Sequence, residues 1–167
     1  VLTFLDLSAA FDTVDHSILL NRLQYVFGIQ GLVLDWFTSY LTDRTQTVCI
    51  GTNTSDPVPV HYGVPQGSVL GPVLFILYTT PLSEIIDAHA VLHHFFADDT
   101  QLQKSDMPQN LDGLLLSIQN CINDVKLWMT FNKLKLNDDK TEIMVVSSAR
   151  MSTSLRVPDT VVIGNSN

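Results

Sequence analysis

Two adjacent carboxylates, Asp98 and Asp99, follow the apolar stretch at residues 95–97. Like charges side by side repel each other, and burying either one costs free energy unless a positive charge lies nearby. Further apolar residues on both sides predict two short strands joined at the aspartates: Val91, Leu92 and Leu102. Because carboxylate oxygens are preferred ligands of divalent metal ions, acids paired at a hairpin tip indicate a metal site.

The composition is that of a globular and rather apolar chain. Of its 167 residues, 46% are hydrophobic and 16% are charged, which suffices for one domain with a core. No apolar run reaches the ~18–20 residues that a membrane span needs. The longest candidate, residues 69–82, is interrupted by Gly71 and Pro72 and predicts a buried helix. We therefore expect no membrane partner.

The net charge of −8 argues by itself against nucleic-acid binding. This objection weakens if the basic surfaces belong to a longer polypeptide. Strands are predicted to start at Val1 and to cover residues 157–164. We therefore expect this sequence to be an excerpt from such a longer polypeptide. The cysteines, Cys49 and Cys121, lie far apart without metal-type spacing, so we expect reduced, buried thiols.

Apolar patterns along the chain predict alternating strands and helices. Strands are predicted over residues 1–7, 45–50, 58–62 and 141–146, in addition to the two at the aspartates. Helices are predicted over residues 15–27, 32–41 and 111–131, with a further one opened by Pro72. For the first helix we expect Asp15 as N-cap, Gly28 as terminator, and an inner face of Ile18, Leu19, Leu23 and Val26. This alternation predicts an α+β fold with helices on one face of a sheet.

Three features carry the chemistry in combination: Asp6 at a strand end, the loop at residues 63–68, and the Asp98–Asp99 pair. Singly, each has an ordinary structural interpretation. An acid at a strand end is commonly a helix cap, and a Gly-Pro-Gln-Gly turn without Gly-Lys-Ser/Thr is no P-loop. An Asp-Asp pair is commonly a surface turn, and the register of an EF-hand loop is missing. Their order along one chain favours a shared active site.

Four segments in this order resemble motifs A to D of the reverse transcriptase domain of non-LTR (LINE-type) retrotransposons. They are LDLSAAFDTVDH (residues 5–16), GVPQGSVLGP (63–72), FADD (96–99) and LNDDKTE (136–142). The match covers nearly the whole chain. It implies an α+β fold in which a polymerase palm-type antiparallel sheet packs on helices, truncated at both ends. It also implies that residues 1–167 are one partial reverse transcriptase domain, palm with part of the fingers. The N-terminal fingers, the thumb and an endonuclease are then expected outside this sequence.

The resemblance implies an RNA-directed DNA polymerase, a nucleotidyltransferase that adds deoxynucleotides to a primer 3′-hydroxyl on an RNA template. Two Mg²⁺ ions, or Mn²⁺ in their place, are the implied cofactors. RNA template, DNA primer and deoxynucleoside triphosphates are the implied partners, and action in the nucleus follows from the family's mode of integration. We expect this stretch alone to be inactive.

Site residues are carried over from the motifs they match. Asp6 and Asp98 are the implied bridging metal ligands, and Asp99 is a third acid with a looser hold. Phe11 occupies the position of the steric gate against a 2′-hydroxyl, with a core aromatic as the alternative. Lys140 matches the lysine proposed to neutralise the leaving pyrophosphate, with a solvated surface charge as the alternative.

The glycine-rich loop and the remaining polar residues have less specific roles. Gln66 and Gly67 match the nucleotide-binding loop, where glycine, as also at Gly63, permits close backbone approach. Asp15 is expected to cap a helix, and Asp12 to take part either in local turn chemistry or in a polar contact. Arg44 is a candidate contact to a nucleic-acid backbone. The histidines without zinc-type spacing are expected in structural or surface roles: His16, His93 and His94.

Two alternatives remain open. A metal-dependent nuclease also clusters acids around two metals, but it has no use for the glycine-rich loop or an aromatic gate. A catalytically inactive, nucleic-acid-binding remnant of such an element is the second, and the intact acids Asp6, Asp98 and Asp99 argue against it within this stretch.

Overall fold

The structure, a computed structural model, describes residues 1–147. It divides into two compact units. Val1–Ser8 together with residues 79–147 forms the sheet unit, and Ala9–Tyr78 forms the helical unit. The strand predicted over residues 157–164 lies outside the described residues.

Short strands and five α-helices alternate along residues 1–147. The strands are β1 (Leu2–Leu5), β2 (Thr45–Gln46), β3 (Cys49–Ile50), β4 (Asn53–Thr54), β5 (Val58–Pro59), β6 (Leu92–Phe96), β7 (Asp99–Gln103) and β8 (Glu142–Met144). The helices are α1 (His16–Tyr25), α2 (Leu32–Leu41), α3 (Leu70–Thr79), α4 (Leu82–Ala88) and α5 (Leu111–Phe131). Short 3₁₀ turns cover Ala10–Asp12, Pro108–Asn110 and Asp138–Lys140.

The sheet unit is built on a four-stranded antiparallel sheet in the order β6-β7-β1-β8. The register pairs Leu5 with Thr100 on one side of β1 and Leu2 with Met144 on the other. Because side chains alternate along a strand, one face is buried and the opposite face is open. The buried residues of β1 and β7 are Thr3, Leu5, Thr100 and Leu102. Helix α4 packs against β6 and α5, so helices cover one face, as predicted.

Helix α5 has the bounds that its apolar period predicts. Its buried stripe is Leu111, Leu114, Leu115, Ile118, Cys121, Ile122, Val125 and Met129. Cys121 is buried as expected, and this burial, with a smaller contribution from Asp124, raises the pKa of its thiol to about 11. The thiol is therefore held protonated within the core.

In the helical unit, Asp15 caps α1 by accepting a hydrogen bond from the Ile18 backbone N–H at 3.0 Å. Leu19 and Leu23 are buried as predicted, and Gly28 follows the helix with a φ of +69°. The prediction for Val26 is wrong, because this residue is 58% exposed. Helix α1 ends at Tyr25, so Val26 lies beyond the helical turns that direct Leu19 and Leu23 into the core.

The predicted strand pair over residues 45–50 and 58–62 is split into two shorter pairs. Strand β2 pairs with β5, and β3 pairs with β4 around a tight turn. All residues of these four strands are exposed. Cys49 lies in β3 and is exposed, so the prediction of a buried thiol is wrong there. A two-stranded hairpin of this size has too little apolar surface to bury its own side chains.

Helix α3 is only partly buried, in contrast to the buried helix predicted from residues 69–82. Leu74, Phe75 and Tyr78 are fully buried, whereas Val73 and Ile76 are about half exposed. No single helix of the described residues is long and apolar enough to cross a membrane. Helices α3 and α4 reach that length and composition only when they are taken together.

Candidate active site

Asp6 directly follows β1, the strand between β7 and β8 in the sheet. Its side chain falls on the open face, since Thr3 and Leu5 point into the core and the pattern alternates. The pairing of Leu5 with Thr100 brings the next antiparallel positions, Asp6 and Asp99, opposite each other. The register of two core strands therefore brings two of the predicted acids together.

The Asp98–Asp99 pair lies at a hairpin tip, as the sequence predicts. Phe96 pairs with Asp99, which leaves Ala97 and Asp98 as a two-residue loop. Ala97 has a φ of +55°, a left-handed backbone that a non-glycine residue adopts at a cost of about 1–2 kcal/mol. Asp98 is half-buried in the loop, whereas Asp99 is exposed on the strand. The two acids thus differ in environment.

A cavity of about 390 Å³ lies at this edge of the sheet. Asp6, Asp99 and Lys140 line it, together with Phe4, Leu5, Thr100, Gln101, Asp139 and Glu142. Asp98 is absent from this lining among the described residues. Of the four charged residues predicted for catalysis, the structure brings three into one cavity.

Asp6 is held by two residues from the segment before β8. The Lys140 ammonium lies 3.3 Å from its Oδ2 atom, and the Asn137 side-chain amide donates to the same oxygen at 3.2 Å. The Asn137 backbone N–H also donates to the Asp6 carbonyl at 2.9 Å. Lys140 is 67% exposed at its side chain, whereas Asp6 is 25% exposed. The lysine is therefore neither buried nor merely solvated: it is an accessible cation paired with the principal acid.

Sequence reasoning assigned no role to Asn137, although the residue lies in the LNDDKTE segment. Its contact with Asp6 spans 131 positions of the chain. The sequence feature that could have indicated a role for Asn137 is an amide side chain within a motif-like segment, just before a predicted strand. Only the bridge between Leu7 and Leu136 makes the contact evident.

The donor set of this cavity suits a hard divalent cation. Carboxylate oxygens are the preferred ligands of Mg²⁺, which uses few protein ligands and keeps several waters. Asp6 and Asp99 supply such oxygens from adjacent strand positions. Within residues 1–147 no group of three or more His, Cys, Asp or Glu side chains is gathered closely enough to hold a metal. The residues fit a metal site with two carboxylates from the sheet. Asp98, which precedes Asp99 in sequence, is the nearest further acid.

Phe11 belongs to the helical unit. It lies in the 3₁₀ turn Ala10–Asp12, and its ring stacks on Phe75 of α3 with centroids 5.0 Å apart and planes 28° apart. Since Phe75 is fully buried, this contact fixes one side of the Phe11 ring. Phe11 itself is only half-buried, so part of the ring is accessible.

The glycine-rich loop packs on the turn that carries Phe11. The backbone N–H groups of Gly63 and Val64 donate to the carbonyls of Val14 and Phe11 at 2.7 and 2.8 Å. Gly63 has a φ of +89°, and a Cβ at this position would lie 3.1 Å from backbone atoms of Phe11 and Asp12. This close approach requires glycine.

Further along the loop, Gln66 and Gly67 are both exposed. The Gln66 amide donates to Asp12 Oδ1 at 3.3 Å across 54 positions of the chain, so Asp12 makes a polar contact, one of its two predicted roles. Gly67 has a φ of +77°, with no atom within 4 Å of a Cβ at this position. The loop therefore presents an amide and open backbone at its surface.

The histidines make structural contacts. His16 is buried, and its Nε2 atom lies 2.7 Å from the Gly63 carbonyl, which ties α1 to the glycine-rich loop. His93 Nδ1 lies 3.4 Å from Asp87, while His94 is exposed on the open face of β6. These contacts agree with the structural and surface roles expected for them.

Arg44 lines a second cavity, of about 710 Å³, within the helical unit. Its guanidinium donates to the Tyr40 carbonyl at 3.2 Å and lies 5.6 Å from the centre of the Tyr40 ring. Asp15 and Asp43 also line this cavity. The acidic neighbours weaken the attraction of this site for phosphate, and the proposed contact to nucleic acid stays a prediction.

Comparison with known proteins adds to this geometry. Residues 1–158 match the family model described as reverse transcriptase (RNA-dependent DNA polymerase). The chain is 33% identical over 144 residues to the RNA-directed DNA polymerase from mobile element jockey of Drosophila melanogaster. It is 32% identical over 143 residues to the probable RNA-directed DNA polymerase from transposon BS of the same species. These alignments cover 82% and 83% of this chain but only 15% of either relative.

Solved structures with a similar fold include two telomerases. An apo telomerase from Candida tropicalis, truncated from its C-terminal domain, gives a TM-score of 0.67 at 18% identity, covering 89% of this chain and 31% of that one. A Candida albicans telomerase in complex with a fragment of telomeric RNA gives 0.64 at 16% identity, covering 89% and 28%. At such identities the likeness establishes the fold, an α+β architecture of the kind expected.

Proposed function

The chain belongs to the reverse transcriptase family, and from this premise we propose that it forms the catalytic part of an RNA-directed DNA polymerase from a non-LTR retrotransposon. The reaction is the transfer of a deoxynucleotide to a primer 3′-hydroxyl on an RNA template, with release of pyrophosphate. The observation that carries the proposal is the pair Asp6 and Asp99, which face one cavity from adjacent core strands beside Lys140.

Asp6, Asp98 and Asp99 are the residues proposed to hold the divalent metal ions. When bound, two Mg²⁺ ions supply activation of the attacking hydroxyl and charge stabilisation at the leaving oxygen. The chain's contribution is to fix the carboxylates. Asp6 is oriented by Asn137 and Lys140, and the hairpin loop orients Asp98. Asp99 is more exposed, which is consistent with a looser hold on a metal.

Selection of the incoming nucleotide is assigned to the helical unit. Phe11 is proposed to exclude a 2′-hydroxyl, because its ring is fixed on one side by Phe75 and accessible in part. Gln66 and Gly67 are proposed to line the nucleotide pocket, since both are exposed on the loop that packs against the Phe11 turn.

Lys140 is proposed to neutralise the leaving pyrophosphate. Its ammonium holds Asp6 but stays accessible from solvent, so a second anion can reach it. A cation that can move between a carboxylate and a departing phosphate lowers the charge that builds up on the leaving group.

The chain spans about 15% of the length of the curated relatives it matches first. We propose that the activity belongs to a longer protein acting in the nucleus on an RNA template and DNA primer, and that these residues alone do not extend a primer. The basic surfaces expected of such an enzyme then lie on other parts of that protein, in keeping with the −8 charge of this stretch.

Primer extension on an RNA template by the full-length protein tests this proposal. Compared with wild type, Asp6→Asn and Asp98→Asn should lower the rate by about 1,000-fold or more, because several kcal/mol of transition-state stabilisation are lost. Asp99→Asn should have a smaller effect. The matched control is Asp112→Asn, an exposed acid in the first turn of α5.

Control activity within about twofold of wild type would exclude a general effect of charge. Equal activity in all the variants would overturn the assignment of the acids. An unmutated protein that degrades its template instead of extending the primer would favour the nuclease. A protein that binds primer–template without extending it would favour the inactive remnant.

A further inference from the structure

Four lysines are concentrated between positions 126 and 140 of this acidic chain: Lys126, Lys133, Lys135 and Lys140. The chain has 17 acidic and 9 basic residues, so carboxylate partners are abundant. Lys126 pairs with Asp138 at 2.6 Å, and Lys140 pairs with Asp6. Outside this segment, Lys104 donates to the His89 carbonyl and the Ser117 hydroxyl. Three of the five lysines within residues 1–147 are thereby satisfied.

Lys133 and Lys135 differ from these three. Both are exposed, and within residues 1–147 no ion pair or side-chain hydrogen bond engages either ammonium. They flank the buried Leu134, and Lys135 lies between Leu134 and the buried Leu136. Two cations are thus presented to solvent by a segment whose alternate residues are fixed in the core.

The backbone on either side holds these two residues in place. Helix α5 ends at Phe131, and the Leu134 N–H donates to the Met129 carbonyl at 2.9 Å. Lys133 adopts a φ of +57° at this helix end, a position where glycine is usual. The Lys135 carbonyl accepts from the Ser8 N–H at 2.9 Å, two residues after Asp6. The segment is therefore hydrogen-bonded to the chain directly after the principal acid, Asp6.

The alternation also relates these lysines to the candidate active site. Because Leu134 and Leu136 point into the core, Lys135 and Asn137 project from the opposite side of the extended segment. Their Cα atoms are about 6.6 Å apart at the usual rise per residue. Asn137 contacts Asp6 directly, and Lys140 follows after one turn. Donors on one side of the segment therefore lead from Lys135 through Asn137 to Asp6, and Lys133 precedes them by two residues at the end of α5.

We propose that Lys133 and Lys135 form a phosphate-binding row at the approach to the active-site cavity. The ligand chemistry is the phosphate oxyanion, from either a nucleic-acid strand or the pyrophosphate end of a nucleotide. An exposed ammonium suits phosphate as a point charge without fixed geometry. The inference rests on the proposed function, since that reaction brings both kinds of phosphate to Asp6.

Equilibrium binding to the full-length protein in the absence of deoxynucleoside triphosphates tests the row without requiring turnover. One arm measures the affinity for a labelled RNA–DNA primer–template by fluorescence anisotropy at several salt concentrations. The other measures binding of inorganic pyrophosphate with Mg²⁺ by calorimetry. The test variant is Lys133→Gln with Lys135→Gln, and Lys133→Arg with Lys135→Arg is the charge-retaining counterpart.

The matched control is Gln30→Glu with Ser39→Glu, at two exposed positions of the helical unit. It lowers the net charge by two units, as the glutamine variant does, but outside the row. We expect the glutamine variant to lose about tenfold in affinity in at least one arm. If the strand is the ligand, the salt dependence of duplex binding should also become shallower by about one per lysine. The arginine variant should bind like wild type.

The pattern of loss identifies the source of the phosphate. Weaker duplex binding alone assigns the row to a strand, and weaker pyrophosphate binding alone assigns it to the nucleotide. Unchanged affinity in both arms would overturn the proposal. So would an equal loss in the control, or failure of arginine to retain binding. A protein that binds phosphate through this row but never extends a primer would refute the proposed function and leave the row intact.

Lys133→Gly separates a binding role from a structural one. Glycine adopts the left-handed backbone without a steric penalty, so the melting temperature should rise while phosphate binding weakens. A stabilised variant with unchanged binding in both arms would remove Lys133 from the row.

Discussion

The two units hold their candidate functional residues by different physical means. In the sheet unit, antiparallel register brings Asp6 opposite Asp99, and side-chain contacts from Asn137 and Lys140 orient the principal acid. In the helical unit, backbone hydrogen bonds and the missing side chain of Gly63 hold the loop against the Phe11 turn. Strand register determines the positions of the charged residues proposed for catalysis. Close backbone approach determines the positions of the residues proposed for nucleotide selection.

This difference indicates which kinds of substitution each unit tolerates. Backbone hydrogen bonds set the pairing of two strands, so paired positions keep their geometry when a side chain changes. Asp→Asn variants should therefore fold normally and lose only the charge. At Gly63 the backbone conformation and the space are both specific to glycine. We therefore expect changes of rate from the sheet unit and changes of stability or selectivity from the helical unit.

The largest effect on stability is expected from Gly63→Ala. A left-handed backbone costs alanine about 1–2 kcal/mol, and contacts of 3.1 Å with backbone atoms add about 1–2 kcal/mol, since backbone yields less than a side chain. The free energy of unfolding should fall by about 2–4 kcal/mol in chemical denaturation. Hydrogen exchange should show faster exchange of amides in residues 9–78, with those of β1 and β7 less affected.

Gly67→Ala is the matched control for that substitution. Its backbone is also left-handed, with a φ of +77°, but its Cβ would meet no atom within 4 Å. Only the conformational cost of about 1–2 kcal/mol should remain. Equal losses at the two positions would show that close approach at Gly63 contributes nothing, and the contrast between the units would then lose its basis.

A change in selectivity is expected next, from Phe11→Val. A smaller side chain leaves room for a 2′-hydroxyl, so the preference of the full-length enzyme for deoxynucleotides over ribonucleotides should fall by about 10- to 100-fold. Such a ratio corresponds to about 1.4–2.8 kcal/mol of discrimination. Competing incorporation of the two sugars in primer extension measures it.

Phe75→Leu serves as the control for Phe11, because it removes the stacking partner but keeps the Phe11 ring. This variant should lose stability and only a minor part of the selectivity. Unchanged ribonucleotide incorporation by an active Phe11→Val enzyme would contradict the steric role. The ring would then be a core aromatic, the alternative that its contact with Phe75 also accommodates.

The smallest effect is expected from Cys121, and it concerns pH. Burial raises the pKa of this thiol from 9.0 to about 11, so the folded state holds its proton where the unfolded state has released it. The resulting stability is complete below pH 9 and declines as the pH rises towards 11. Cys121→Ala should show a shallower decline of the unfolding free energy between pH 9 and 11, measured against wild type by denaturation.

Identical slopes for wild type and Cys121→Ala would contradict burial of a protonated thiol. Alanine also leaves a small cavity, which lowers stability by a similar amount at every pH. The slope, and not the absolute stability, is therefore the informative quantity. Cys49 is exposed, and Cys49→Ala is the control.

Local patterns predicted much of the fold. The bounds of α2 and α5 are those predicted from the apolar period. In α5 this period coincides with a buried stripe, because a packed helix buries one face, whereas in α2 only Leu41 is buried. The hairpin at Asp98 and Asp99 was equally evident, since two strands joined by a two-residue loop are neighbours in sequence. The Asp15 cap depends on a contact three residues away.

Contacts between distant positions could not be predicted in this way. Asn137 reaches Asp6 across 131 positions, and no local signal marks this asparagine as a partner of that acid. The exposure of Cys49 depends on what covers β3, which its own sequence does not specify. The resemblance to sequence motifs pointed to most residues of the candidate site. The cavity that Asp6 and Asp99 share follows instead from the register of the sheet.

The order of the sheet has a consequence for biosynthesis. Strand β1 precedes both of its neighbours in the chain, and Leu2 pairs with Gln103 on one side and with Met144 on the other. At about 5–20 residues per second, a ribosome exposes this apolar strand for several seconds before either partner exists. Until then its unpaired edges are open to association with other nascent chains. We expect chaperone engagement of β1 during translation, ending only once the segment around β8 has emerged.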